Sequence, residues 1–452
     1  MHMPQPTKNG HTSGVLEVAG IGMGPNNLGL AALFSQTNAS RIQFFERRSE
    51  FQWHPGMLFP DATVQVSFLK DLVSMVDPTN PYSFLNFLSK QNRLYRYSHA
   101  KNSTIKRAEF NAYFRWAVES LSDHIEFNQE VKSVDWLDGQ FHIQLSNGFR
   151  RAQHLVLGNG LVPKVPACAI PHLGDSVFHV SQFLKHISRL DGKRVTVVGG
   201  GQSGAEIVKL ILQEKYGLPE QLNWVSSRTN YHPLDDSPFA NEYFSPAYSA
   251  YFSKLPSHKR TALLNDQLMS SDGVDLTLLD EIYELMYTIN YQRPKSNACR
   301  LLPDCRVADI FEAGDSMCLA IQPKTHEESM LLTSDIVILA TGFEYQTPAY
   351  LEPLMPLIEF EHDRFIVNDD YSIQWAHQQS NHIYVQNAAA QQRGIADPNL
   401  SLSAWRNAKI INSILGHERY AIERQISDTV FDWSQFEQPN TTGISLALNG
   451  QA

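Results

Sequence analysis

Val195-Thr-Val-Val-Gly-Gly-Gly-Gln-Ser-Gly-Ala-Glu206 is the stretch on which the fold turns. Four apolar or β-branched residues read as a buried strand. Gly199, Gly201 and Gly204 then stand at the first, third and sixth positions of a turn that opens a helix. In such a turn the first glycine makes the sharp bend and the second lets the backbone approach a pyrophosphate. The third lets helix and strand pack closely, and the anion rests on the helix N-terminus. One turn of this kind is a weak signal. A second lies far upstream in Val18-Ala-Gly-Ile-Gly-Met-Gly-Pro-Asn-Asn-Leu28, with Gly20, Gly22 and Gly24. Counted from Gly22, its sixth position is Asn27, where glycine or alanine is usual. Two such turns in one chain imply two dinucleotides.

The strands that close the two units differ in chemistry. Arg41-Ile-Gln-Phe-Phe-Glu46 ends in an acid at the place where a carboxylate can accept hydrogen bonds from a ribose. Gln221-Leu-Asn-Trp-Val-Ser-Ser-Arg228 ends in two hydroxyls and a cation, which suit a 2′-phosphate. The first unit is therefore expected to hold FAD and the second NADPH rather than NADH.

Composition sets the outer limits. The chain has 452 residues, 42% hydrophobic and 19% charged, enough for two or three globular domains. A formal charge of −10 argues against nucleic acid as the main partner. No apolar run is long enough to span a membrane. Residues 1–14 are polar, lack the core of a signal peptide and read as a disordered tail. The four cysteines, Cys168, Cys299, Cys305 and Cys318, include no pair just after the first glycine turn, so a flavin disulfide reductase is disfavoured. They read as reduced thiols of a cytoplasmic protein. No metal site is expected.

Between the two units, helices are expected around Phe84, Leu85, Phe87 and Leu88 and over Arg107 to Leu121. Strands are expected over Ile125 to Val134 and Phe141 to Leu145. After Arg228 the dinucleotide pattern stops. His232 to Pro303 is rich in aromatic and polar residues and reads as an inserted, mainly helical module. The second unit resumes near Leu301 and runs through Ser334-Asp-Ile-Val-Ile-Leu-Ala-Thr-Gly-Phe343, whose Ala-Thr-Gly turn leads back to the first. A helix is expected from about Ser401 to Ile414. The fold class is α/β: two dinucleotide-binding, Rossmann-like domains with an inserted, mainly helical substrate module. The expected domains are 15–190 with 344–452 for FAD, 191–231 with 302–343 for NADPH, and 232–301 for the insert.

At this point a resemblance becomes specific. Trp53-His-Pro-Gly-Met57, the Phe-Leu-Lys-Asp-Leu core of Gln65 to Leu72, Gly199 to Glu206, Asp236-Ser-Pro-Phe-Ala-Asn-Glu242 and Ala340-Thr-Gly342 together resemble the siderophore N-hydroxylating flavin monooxygenases. Those enzymes act on L-lysine, a diamine or L-ornithine. The resemblance spans roughly residues 15 to 415. It implies reduction of FAD by NADPH, addition of O₂ at the flavin C4a position, and attack of a neutral primary amine on the distal oxygen while NADP⁺ stays bound. It also implies residue roles. Gly20, Gly22, Gly24, Asn27 and Glu46 would hold FAD, with Trp53, His54, Gln65, Arg107 and Thr341 close to it. Gly199, Gly201, Gln202, Ser203 and Arg228 would hold NADPH. Lys70 and Asn241 would contact substrate, with Gln65, Lys70 and Asn241 nearest the chemistry and Ser401 near flavin and amine. Where the ornithine branch has a further asparagine this chain has Met269-Ser-Ser-Asp-Gly273, so ornithine is disfavoured. L-lysine would need a cation for its carboxylate, Lys70. A diamine would need an acid for its distal ammonium, such as Asp272, Asp235 or Asp236. Overall likeness leans to a diamine such as putrescine or cadaverine over L-lysine. A ketone (Baeyer–Villiger) or general amine monooxygenase is the more distant alternative. By the same resemblance the protein would be a homo-oligomer, a tetramer.

Overall fold

The computed structural model describes residues 14–39, 41–100, 104–292, 299–422, 429 and 431. The expected tail thus lies outside the described residues, save for Gly14. Two sheets organise the rest. The first has seven strands in the spatial order Ile125–Glu126, Ile42–Phe45, Leu16–Ile21, Gly148–Leu157, Gln140–Leu145, Val131–Leu137, with Ile383–Val385 also paired to Gly148–Leu157. Its first four members and Ile383–Val385 run parallel, and the last three form an antiparallel meander. The long strand Gly148–Leu157 belongs to both halves: its start pairs with Gln140–Leu145 and its end with Leu16–Ile21. The single strand expected from Ile125 to Val134 is divided. Asn128 sits in the left-handed region at φ 57°, where the chain leaves the parallel half and enters the meander.

The second sheet is fully parallel, in the order Val177–His179, Ile336–Leu339, Arg194–Val198, Gln221–Val225, Arg300–Leu302. Its central strands are almost unbroken apolar runs because both faces are covered. The antiparallel meander Cys305–Ala313, Ser316–Pro323, Met330–Ser334 covers one face. The helix Gln202–Leu212 covers the other, and onto it packs Leu276–Gln292 from the insert. That helix buries Leu278, Ile282 and Ile289, a stripe at helical spacing, and the Asp275 carboxylate caps it by accepting from the Leu278 N–H at 2.9 Å. Three shorter helices, Pro246–Ser253, Ser257–Asp266 and Leu268–Asp272, complete the insert.

Each sheet has its own core. Around the first, Phe84, Phe110, Tyr113 and Phe114 interlock edge to face above the helix Pro25–Phe34. Leu85, expected in the same face, is 40% exposed: Phe84, Phe87 and Leu88 hold the i, i+3, i+4 stripe, and Leu85 falls outside it. The helix Ser403–Leu415 lies along Pro25–Phe34 and ties to it through buried amides. Asn407 donates to the Asn26 carbonyl at 2.9 Å and Ser403 donates to the Asn26 side chain at 2.7 Å. Beside them Arg406 and Asp397 form an ion pair at 3.0 Å whose side chains are 1% and 0% exposed. One segment crosses between the units. Pro55–Met57 and the residues to Ala62 leave the first unit and pack Met57, Phe59 and Ala62 into the second core. Gly56 is obligatory there, since a Cβ would lie 2.0 Å from the Ser181 carbonyl oxygen. Among the described residues no helix is long and apolar enough to cross a membrane.

A half-buried histidine contributes to the dependence of stability on pH. His154 stacks on His382 at 5.4 Å, and its Nδ1 accepts the His382 backbone N–H at 3.1 Å. Burial, then the charge of His382, lowers its pKa from 6.5 to about 4. Between those values the unfolded chain binds more protons than the native one, so stability falls as pH drops from 6.5 towards 4. Thermal melts across that range should show the decline, and His154→Gln, which keeps an acceptor without titrating, should lessen it.

Candidate active site

The first glycine turn is shaped by contact on two sides and open on the third. A Cβ on Gly20 would stand 2.1 Å from the Phe44 ring, and one on Gly22, at φ +86°, would stand 2.5 Å from the Gly158 carbonyl oxygen. A Cβ on Gly24 would meet nothing within 4 Å. Gly24 caps the helix Pro25–Phe34, which has no acid in its first turn, so the helix N-terminus faces open space that a pyrophosphate could fill. Glu46 ends the neighbouring strand. Its carboxylate accepts the Met23 N–H at 2.8 Å and the Arg48 N–H at 3.0 Å, which fixes it at the edge of the turn with lone pairs left for ribose hydroxyls. Asn27, grouped by sequence with the cofactor residues, turns its side chain inward. It is fully buried and donates to the carbonyls of Gly22, at 2.7 Å, and Ile21, at 3.3 Å. It stitches the turn, and its bulk fits because residue 158 opposite is glycine.

The second turn repeats the design. Gly199, at φ +131°, lies against the Ala340 carbonyl, and a Cβ on Gly204 would be 2.1 Å from the Gly199 carbonyl oxygen. The nearest neighbour to a Cβ on Gly201 is the Asp272 carbonyl oxygen at 3.6 Å. Gly201 caps Gln202–Leu212, and Ser203 stands in its first turn. Arg228 reaches over this turn: Nη1 donates to the Asp272 carbonyl at 2.7 Å, and its other guanidinium nitrogens have no hydrogen-bond partner among the described residues. The strand end that sequence assigned to a 2′-phosphate therefore stands over the glycine turn that would hold the rest of the nucleotide.

The two units meet through a polar chain. Gln65 Nε2 donates to Gln202 Oε1 at 3.1 Å. Gln202 Nε2 donates to Glu206 Oε1 at 3.1 Å, and Gln202 Oε1 also accepts the Asp275 N–H at 2.9 Å. Arg107 closes the chain, giving Nη2 to Glu206 Oε1 at 3.0 Å, Nη1 to Glu206 Oε2 at 3.2 Å and Nη1 to the Met57 carbonyl at 2.7 Å. Beside it Trp53 packs edge-on against Phe110 and Phe114, and His54 adjoins Trp53 at 5.0 Å. His54 is held at φ 47°, reachable by solvent but crowded by protein. That crowding, then the charges of Arg107 and Arg48, brings its pKa down to about 4, so the ring is neutral at pH 7.

The residues expected at the substrate are set on separate elements. Lys70 lies in the loop before Asp71. That carboxylate accepts from the N–H groups of Val73, Ser74 and Phe84 and from the Ser74 hydroxyl, which pins the loop. The Lys70 ammonium has no carboxylate or hydrogen-bond partner among the described residues, and burial lowers its pKa below the ordinary lysine value. Asn241 lies on the exposed short turn Ala240–Phe244 of the insert, with Nδ2 donating to the Asp236 carbonyl at 2.9 Å. Asp272 is beside the second glycine turn and its carboxylate takes the Ser271 hydroxyl at 2.6 Å. Thr341 bonds the Lys164 carbonyl at 2.5 Å where the chain recrosses to the first unit. Ser401 is buried in the turn before Ser403–Leu415, bonded to the Asn399 side chain. No hydrogen bond joins Lys70, Asn241 and Ser401 to one another. Sequence reading missed Glu206 and the Asn26–Asn407 contact. The one signal available for Glu206 was an acid among the apolar residues Ala205, Ile207 and Val208.

Comparison with known proteins identifies the family. The profile of the L-lysine 6-monooxygenase/L-ornithine 5-monooxygenase family matches residues 14–345. The L-lysine N6-monooxygenase of Escherichia coli is 41% identical over 409 residues, 90% of this chain and 96% of its own length. The FAD-bound cadaverine monooxygenase DfoA of Erwinia amylovora superimposes with a TM-score of 0.88 at 31% identity, over 94% of this chain and all of its own. The ornithine N-hydroxylase KtzI of Kutzneria, solved with reduced FAD, NADP⁺ and L-ornithine, gives 0.84 at 28% identity, over 89% of this chain and 99% of its own. The chain therefore belongs to the L-lysine 6-monooxygenase/L-ornithine 5-monooxygenase family.

Proposed function

We propose that this protein uses NADPH and O₂ to hydroxylate the side-chain amine of L-lysine, with FAD resident in the first unit. The balance is amine, O₂, NADPH and a proton giving hydroxylamine, NADP⁺ and water. The observation that carries the choice of substrate is Lys70. A half-buried ammonium with no carboxylate partner among the described residues favours a ligand that brings a carboxylate. The identity to an L-lysine N6-monooxygenase points the same way.

Bound FAD supplies the redox chemistry, taking two electrons from NADPH and passing one oxygen atom of O₂ to the amine. The chain's own groups bind and orient. Gly24 and its helix N-terminus would take the FAD pyrophosphate, and Glu46 a ribose. Gly201, Gln202 and Ser203 would take the NADPH pyrophosphate, with Arg228 on the 2′-phosphate. Lys70 would hold the substrate carboxylate and Asn241 would approach from the insert. The reacting amine must be neutral. With a solution pKa of about 10.4, deprotonation at pH 7 costs on the order of 4–5 kcal/mol unless the site lowers that pKa.

A diamine is the second reading. The likeness to a cadaverine monooxygenase favours it, as do Asp235 and Asp236 beside Asn241. Hydroxylated product should be assayed directly across L-lysine, L-ornithine, cadaverine and putrescine. L-lysine is expected to give the highest kcat/KM, and Lys70→Met should raise its KM by about 10- to 100-fold, the loss of one charged hydrogen bond. Preference for cadaverine or putrescine in the wild type, unaffected by Lys70→Met, would overturn lysine in favour of the diamine. Arg228→Ala should raise the KM for NADPH at least tenfold and leave NADH nearly unchanged. Equal losses for both would remove the 2′-phosphate role.

A further inference from the structure

Gln202 stands where three parts of the molecule meet. Its side chain touches Gln65 of the flavin unit, Glu206 of its own helix and the backbone of Asp275 in the insert. Its orientation follows from these partners. Oε1 must face the two N–H donors, and Nε2 must face the carboxylate; the flipped amide would oppose like groups at all three. Gln202 is also the first residue of the helix whose N-terminus would receive the NADPH phosphates. Whatever fixes Gln202 fixes that seat relative to the flavin.

Glu206 is the fixing group, and its own position is set from the other unit. Its side chain is 8% exposed and that of Arg107 is 12% exposed. Both carboxylate oxygens take guanidinium N–H bonds, and the Arg107 fork is further held by the Met57 carbonyl. Arg107 opens the helix Arg107–Ser120, and its backbone N–H is anchored on the Ala62 carbonyl at 2.7 Å. A buried ion pair of this kind contributes little net stability, since apolar residues of similar volume often replace it without loss. It does impose geometry, because a bidentate fork accepts its partner in one orientation.

We infer that Glu206 and Arg107 are positioning residues for the nicotinamide nucleotide: the flavin unit, through this pair and Gln202, sets the angle at which NADP⁺ is held. The inference rests on the NADPH assignment above but on no particular amine. It predicts that loosening the pair weakens nucleotide retention and lets oxygen chemistry escape as peroxide.

The test removes both charges together, so that no ion is stranded in the interior, in Arg107→Gln/Glu206→Gln and Arg107→Leu/Glu206→Leu. Affinity for NADP⁺ is measured by calorimetry on the FAD-loaded protein, which needs no amine, beside flavin content and melting temperature. The expected result is unchanged flavin content and a five- to tenfold weaker NADP⁺ affinity, about the loss of one hydrogen bond. With the preferred amine, hydroxylamine formed per NADPH should fall below half, the balance appearing as peroxide. NADP⁺ affinity and product yield within twofold of the wild type would overturn the inference. Loss of FAD with NADP⁺ affinity intact would assign the pair to the flavin site instead. Failure of both variants to fold would make it a folding element, which also overturns it. Absence of hydroxylamine from every amine would count against the proposed function and leave the NADP⁺ titration standing as its own test.

Discussion

The buried Arg107–Glu206 pair is the constraint on which the rest depends. Each dinucleotide unit has its own sheet and its own cores, joined by a short pairing of Val162–Pro163 with Phe343–Glu344 where the chain crosses. Two further features set the relation. One is apolar: Met57, Phe59 and Ala62 cross from the first unit into the second core. The other is directional: Arg107, held at the edge of that crossing segment, grips Glu206 on the opposite helix. Apolar contact alone permits sliding and rotation, since burial has no direction. A two-pronged ion pair excluded from water does not.

Such a relation matters because the chemistry needs two molecules in register. FAD and NADPH, when bound, would exchange a hydride, so the residues that would hold them have to keep the two seats in register and leave room for a neutral amine. The protein has few groups to offer as acids or bases, and the mechanism asks for none. It offers a neutral imidazole at His54, a lysine with a depressed pKa at Lys70, and amides at Gln65, Gln202 and Asn241. In the proposed reaction their work is to orient and exclude. The rate then depends on placement.

Much of this was legible in the sequence, because it is local. The glycine spacing, the acid at Glu46 and the cation at Arg228 all lie within short reach of their own turns, and periodicity located the helices. What escaped was non-local or hidden by position. Asn27 occupies a cofactor motif, yet a buried site with two carbonyls within reach is the better place for its amide than solvent. Arg107 could be read as a flavin neighbour, but its partner Glu206 is 99 residues away, and no pattern in one chain pairs them. The break at Asn128 arises because one sheet must join a parallel half to an antiparallel one, a demand of topology that alternation of side chains does not announce.

The contact between Asn26 and Asn407 has a bearing on how the chain comes into being. The first turn is made long before the helix that packs on it, Ser403–Leu415, since Asn26 and Asn407 are 381 residues apart. The intervening second unit, by contrast, draws all but one edge strand of its sheet from residues 194–339 and can close on itself meanwhile. Pairings of such wide sequence separation carry the larger loop-closure cost and form late. On a ribosome the nucleotide seat would therefore mature before the flavin site, and the face of Pro25–Phe34 that packs on Ser403–Leu415 would wait uncovered until that helix is made. A chain cut short before Ser403 would keep that face exposed, and exposed apolar surface of this kind promotes aggregation.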